Sequence, residues 1–236
     1  FFITYKLYTI ADMLHQQLFN LTRPYFVQTY GKGDLNKFTS MYKILYSSSF
    51  ISASIAGYGI FLINETFINL WLGPDYFLGE ALNFWLCINF IVQSSVLPNR
   101  IVLVSTLFKV KENGVSRLIE GFLKIILCVI LIPIIGVEAI AIAGVVSSII
   151  LSTIYFNYLA GQLIKQNNIN NILGTLLLSI SAILLFTDNY FIKIGVIILT
   201  LVAIIMNAKR NLKGELHYIK SISESIKLIF FKPKNV

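Results

Sequence analysis

Charge is scarce in this chain of 236 residues: Asp, Glu, Lys and Arg together make up 13% of it, about half the share found in soluble domains. So few charges cannot coat a water-soluble globule of this length, and disordered or fibrous classes are excluded as well. Cysteine is nearly absent. Cys87 and Cys128 both lie inside apolar runs, where packed thiols account for them better than a disulfide or a metal pair. No zinc spacing, P-loop, HExxH or GxSxG motif occurs. The acidic residues between the apolar runs, Glu65, Asp75, Glu80, Glu138 and Asp188, are scattered rather than paired. Catalytic residues, a cofactor and a metal are therefore not expected, and the chain does not read as an enzyme. It has no initiator Met and no recognisable signal peptide. Its first residues look like the middle of a helix, which suggests the C-terminal part of a longer protein.

Apolar residues are what the chain has in abundance, at 56%, with a mean hydropathy of +0.77. Charge-free runs over 44–64, 81–99, 125–137, 139–164, 166–187 and 194–208 mark helical spans of a bilayer core about 30 Å thick. Residues 1–30 are a seventh, more polar candidate. The expected fold is all-α, a polytopic transmembrane helix bundle of about seven spans. Gly31-Lys32-Gly33, Gly73-Pro74, Pro133 and the Asn-rich run 167–171 supply breaks. Taken alternately, one set of connectors and the tail hold fourteen Lys and Arg and the other set holds only Lys193. By the positive-inside rule the first set is cytoplasmic, and so is the C-terminus. A basic tail beside anionic lipid accounts for the net charge of +8 without nucleic acid.

Polar residues inside such spans are costly and are the first candidates for function. Tyr5, Tyr8, Asp12, His15, Gln16, Asn20 and Arg23 recur at three- and four-residue spacing, hence on one stripe. Either that stripe faces protein or a cavity, or residues 1–30 lie at the interface. Asp12 and His15 are coupling candidates as a proton-relay pair; the alternative is polar glue between helices. A second stripe holds Asn89, Gln93 and Arg100, with Pro98 expected to kink its helix at the carbonyl of Ser94. Arg100 can face a cavity and grip an anionic head group, or snorkel to the surface. Arg117, Glu120 and Lys124 form a self-neutralising cluster on one helix, best explained structurally. Gly144, Ser148 and Ser152 share a face, as do Ser48, Ser52, Ala56 and Gly59, and both read as packing surfaces.

Arg23-Pro24-Tyr25-Phe26-Val27-Gln28 with the Gly31-Lys32-Gly33-Asp34 connector, and Phe67-Ile68-Asn69-Leu70-Trp71-Leu72-Gly73-Pro74-Asp75-Tyr76, resemble segments of the bacterial polysaccharide-biosynthesis flippases. These belong to the multidrug/oligosaccharidyl-lipid/polysaccharide exporter superfamily. The resemblance implies the C-terminal half of a fourteen-helix transporter with both termini cytoplasmic. It implies transport of an undecaprenyl-pyrophosphate-linked oligosaccharide across the bacterial inner membrane by alternating access. The partners would be that substrate, membrane lipids and the N-terminal half. On this reading residues 1–164 are the core transport bundle, 165–208 two peripheral accessory spans and 209–236 a basic cytoplasmic tail. The candidate substrate-binding residues are Arg23, Arg100, Asn20, Asn89 and Gln93; they rest on the polar stripes, not on a family motif. A drug or metabolite exporter of the same fold would rely more on carboxylates. A polymerase or ligase of glycan assembly would need a large outer loop, which is missing here.

Overall fold

Apolar runs fold into helices, and the breakers between them decide where each helix ends. A computed structural model of the chain describes residues 1–156, 158–159 and 190–212. The first segment forms two helices, α1 (Phe2–Asn20) and α2 (Arg23–Gly31). Between them Thr22 Oγ1 donates to the Phe19 carbonyl at 2.7 Å, and Pro24 occupies the first turn of α2, where its missing N–H has no helical partner to lose. Gly33 (φ 73°) takes a left-handed conformation that most residues avoid. Asp34 then caps α3 (Leu35–Trp71), its Oδ1 accepting from the Lys37 N–H at 3.0 Å.

α3 is longer than the charge-free run inside it. Its 37 residues extend about 55 Å at the helical rise, so Lys37, Lys43 and Glu65 are helical rather than in connectors. No Gly–Pro break interrupts the sequence before Gly73 (φ 105°). After the short 3₁₀ turn Pro74–Tyr76 come α4 (Glu80–Ser95) and α5 (Leu97–Ser105). Helix α6 (Val110–Ile135) stops at Gly136, and α7 (Glu138–Ser147) passes directly into a π-helical segment, Ser148–Tyr155. The last described helix is α8 (Tyr190–Asn211). The described residues contain no strand.

Four helices are long and apolar enough to cross a membrane: α3, α4 continued by α5 over Glu80–Val104, α6, and α7 with its π segment. Segment 1–30 is not among them: α1 has the length, at 19 residues, but is too polar, and the turn at Leu21–Thr22 separates the short α2 from it. The apolar part of α8, Lys193–Met206, falls short of that length. The expected span over 166–187 and residues 213–236 of the tail lie outside the described residues.

The main core joins α1, α3, α4, α7 and α8 through Tyr8, Phe50, Phe61, Ile91, Val145 and Ile197. Gly57 lets α3 approach α4 closely; a Cβ there would lie 2.7 Å from Ile91 Cγ1. A smaller cluster of Phe26, Phe38, Tyr42, Leu45 and Val102 ties α2 and α5 to α3. Buried polar groups fasten the first core. Tyr8 Oη donates to Asn83 Oδ1 at 2.9 Å, Asn64 Nδ2 donates to the same oxygen at 2.8 Å, and Asn83 Nδ2 donates to the Phe61 carbonyl at 3.0 Å. At that end of the bundle Lys193 at the start of α8 pairs with Glu80 at the start of α4.

Pro98 divides α4 from α5 as expected. Without an N–H it cannot bond the carbonyl of Ser94. Ser49 of α3 takes that acceptor instead, its Oγ donating to the Ser94 carbonyl at 2.8 Å. A hydroxyl from a neighbouring helix thereby repairs the break, the usual solution where water is absent.

Candidate functional site

Polar side chains of α4, α5, α6 and the π segment converge on one carboxylate, that of Glu120 on α6. It is buried, with 9% of its side chain exposed. Ser148 Oγ donates to its Oε1 at 2.7 Å and Ser152 Oγ to its Oε2 at 2.9 Å. Both serines belong to the π segment. Its i→i+5 turns are wider than α turns and recur at functional sites.

Each serine in turn receives a hydrogen bond from the α4–α5 arm. Gln93 Nε2 donates to Ser148 Oγ at 3.2 Å, and Arg100 Nη2 donates to Ser152 Oγ at 2.5 Å. Two donor chains therefore end on the two oxygens of a single carboxylate: Gln93 to Ser148 to Oε1, and Arg100 to Ser152 to Oε2. The direct distance from Arg100 Nη2 to Glu120 Oε2 is 3.9 Å, too long for a hydrogen bond. Arg100 is 11% exposed, its guanidinium lies over the Phe156 ring at 5.8 Å, and its buried Nε has no hydrogen-bond partner.

Arg117, one turn before Glu120, reaches Oε2 at 3.5 Å and is 42% exposed. Lys124 makes no ion pair among the described residues, so the expected three-residue cluster is replaced by one that spans helices. Two arginines face one carboxylate directly, and Asp12 of α1 lies within electrostatic reach of Arg100. A groove of about 400 Å³ runs alongside between α6 and the π segment, lined by Lys111, Val115, Ser116, Ile119, Leu151 and Tyr155 among others.

The other candidate residues divide sharply. Asn89 is buried beside Gln93 (Nε2 to Asn89 Oδ1, 3.5 Å). It packs on Gly144 of α7, where a Cβ would stand 3.1 Å from its Oδ1. Asp12 accepts from Gln16 Nε2 at 2.7 Å and from Ser94 Oγ of α4 at 3.4 Å. His15 is buried against α3, its Nε2 3.1 Å from Ser52 Oγ and 3.4 Å from the Ser49 carbonyl, and it stacks on Phe19. No hydrogen bond joins His15 to Asp12, which lies within electrostatic reach of the imidazole.

Asn20 ends α1 with a buried, unpartnered Oδ1, and Arg23 is exposed at the start of α2. No hydrogen bond or ion pair links Asp12, Asn20 or Arg23 to Asn89, Gln93 or Arg100. Asn89, Gln93 and Arg100 gather with Glu120, while His15 meets α3 and Asp12 meets the Ser94 side of α4 within electrostatic reach of Arg100.

No family model, curated protein or solved structure matches this chain. The site must be interpreted from its own geometry.

Sequence reasoning underrated three of its members. Ser148 and Ser152 stand in a stripe of small residues, which reads as a packing surface. Glu120 had two basic neighbours on its own helix, which made it look locally neutralised. The available signal was a hydroxyl pair at four-residue spacing in an apolar run, near an intramembrane carboxylate that needed donors. Among the described residues no group of three His, Cys, Asp or Glu is placed to hold a metal ion.

Proposed function

We propose that this chain is part of a bacterial inner-membrane transporter, a multi-pass bundle of about seven spans with a cytoplasmic C-terminus. It flips an undecaprenyl-pyrophosphate-linked oligosaccharide between leaflets by alternating access, together with the N-terminal half of the same transporter. The observation that carries the reading is Arg100. It is a nearly buried arginine beside a proline break, bonded through a serine rather than clamped to a carboxylate, in a centre where two arginines directly face one carboxylate.

An unpaired charge in the hydrocarbon core costs several kcal/mol, so a phosphate-bearing head group needs donors along its way. Arginine suits that task through its planar fork. Pro98 supports the reading further, since broken helices expose polar groups at the binding sites of transporters. The orientation draws support from the Glu80–Lys193 pair, which joins two connectors that the charge count assigns to the same outer side. A drug or metabolite exporter of the same fold is the second reading. The observation in its favour is the buried carboxylate of Glu120, a receptor for a cationic substrate; the two arginines that already face it argue against that reading.

Arg100→Ala should reduce surface glycan at least tenfold in cells carrying the variant at matched membrane level. Arg100→Lys should recover part of it, because the charge returns without the fork. Undiminished export by Arg100→Ala would refute the reading.

A further inference from the structure

The reading of Arg100 as an anion site leaves open why a buried carboxylate stands beside it. A short bidentate pair would use up both guanidinium faces. Here the arginine contacts Glu120 only through Ser152, and its Nε remains without a partner. Arg117 is likewise held loosely, at 3.5 Å and with 42% of its side chain exposed.

Glu120, in contrast, has its own solvation. Ser148 and Ser152 donate to one oxygen each, and both bonds survive if the arginines turn elsewhere. The two hydroxyls keep part of the carboxylate's solvation when its counter-charges leave, and the remaining penalty of an uncompensated buried charge is what an incoming ligand must outweigh. Other charged groups near these helices do not substitute for it. Asp12 on α1 lies within electrostatic reach of Arg100 but is hydrogen-bonded to Gln16 and Ser94 instead, Lys124 one turn further along α6 makes no ion pair among the described residues, and the π segment contributes hydroxyls but no charged side chain.

We propose that Glu120 is a displaceable internal counter-ion that sets a charge threshold on the ligand. It occupies Arg100 and Arg117 when the site is empty, and it yields them only to a head group bearing more than one negative charge. The reasoning is a difference of affinities. A monoanion merely replaces one carboxylate by an equivalent charge and gains nothing over Glu120. A pyrophosphate group brings the second charge that two arginines require and offers oxygens to both forks. The acid thus acts as a specificity-determining residue, excluding singly charged lipid head groups that are far more abundant in a membrane than any transported one.

The test uses the full chain reconstituted in nanodiscs of zwitterionic lipid, with inorganic pyrophosphate and dimethyl phosphate as ligands in calorimetric titrations. Wild-type protein should bind pyrophosphate and not dimethyl phosphate. Glu120→Gln should bind pyrophosphate at least fivefold tighter and admit dimethyl phosphate, whereas Glu120→Asp should keep the wild-type preference within twofold. Ser152→Ala moves binding the other way: stripped of one solvating hydroxyl, Glu120 holds the arginines harder, and pyrophosphate affinity should fall threefold or more. That opposite sign keeps the proposal exposed even if Glu120→Gln folds poorly. Unchanged affinity and selectivity in Glu120→Gln, or tighter binding by Ser152→Ala, overturns the counter-ion role. Arg100→Ala binding pyrophosphate as well as wild type overturns the underlying anion site instead, and absence of binding by both wild type and Glu120→Gln overturns both.

Discussion

The α4–α5 arm and α6 are of nearly equal length, 25 and 26 residues, and both are apolar enough to cross a membrane, yet 83% of the first's most apolar stretch is buried and only 6% of the second's. Their polar content follows from that difference. The arm sits at the centre, where Asn83, Asn89, Ser94 and Asn99 can each be buried among other helices. Helix α6 turns Leu118, Phe122, Ile126, Val129 and Ile130 outward and keeps one inward-facing acid, Glu120, for the hydroxyls of the π segment. In a bilayer the apolar face of α6 suits acyl chains, while the arm needs protein on every side. Hydropathy by itself ranks them the wrong way round for burial: α6 is the more apolar, at 2.6 against 1.4, and is the more exposed. In lipid, the most apolar helix belongs outside.

Substitutions that act on one helix and spare the other test this contrast. The largest effect is expected from glycines. Gly57→Val would force a side chain into Ile91, against which even a Cβ stands at 2.7 Å; overpacking of this kind costs about 3 kcal/mol. Gly121→Val on α6 meets nothing within 4 Å and should change stability by about 0.5 kcal/mol or less. Unfolding of the two variants in the same detergent, followed by circular dichroism, gives the comparison. Equal losses would mean that α6 is packed against something after all.

Asn83→Leu comes next. It removes the acceptor shared by Tyr8 and Asn64 and the donor to Phe61. At about 0.6 kcal/mol per helix–helix hydrogen bond in a bilayer, the loss is about 2 kcal/mol. Thermal unfolding in nanodiscs should show it, and a neutral result would place the energy of the buried arm in shape alone.

The smallest predicted change is Ser49→Ala, which leaves the Ser94 carbonyl with the Val96 N–H as its one remaining donor at the Pro98 break. The cost should be about 1 kcal/mol. Hydrogen exchange of the amides around 94–100 should rise with it. If Pro98→Ala is combined with Ser49→Ala the penalty should vanish, because an N–H at position 98 again serves that carbonyl.

Much of this architecture was legible before any coordinates. The apolar runs announced helices, and Gly33 and Gly73 marked where the chain turns, whereas Pro133, expected as a break, lies inside α6, which runs on to Ile135. Pro98 announced its break and even the carbonyl it would free. The stripe of Asn89, Gln93 and Arg100 could be read as one face, because helical spacing is a local property. The length of α3 was less visible: a charge interrupts a hydropathy run without interrupting a helix, so Lys37, Lys43 and Glu65 looked like connector residues. The division of residues 1–30 had one signal, Pro24, which opens α2 just after the turn at Leu21–Thr22.

Local spacing determines which residues of one helix share a face; it says nothing about which other helix that face will meet. The sequence by itself therefore determined that the chain is helical and apolar, and that Asn89, Gln93 and Arg100 stand together on one arm. Only the tertiary structure decided that Ser148 and Ser152 would meet Glu120 across 28 and 32 residues of sequence, and that the α1 stripe would divide between α3, where His15 goes, and Ser94 of α4, where Asp12 goes. Those partnerships depend on how each helix is rotated about its axis when several apolar surfaces pack at once. That rotation is set by close approaches such as Gly57 on Ile91 and Gly144 on Asn89, which are properties of pairs of helices and of neither one alone.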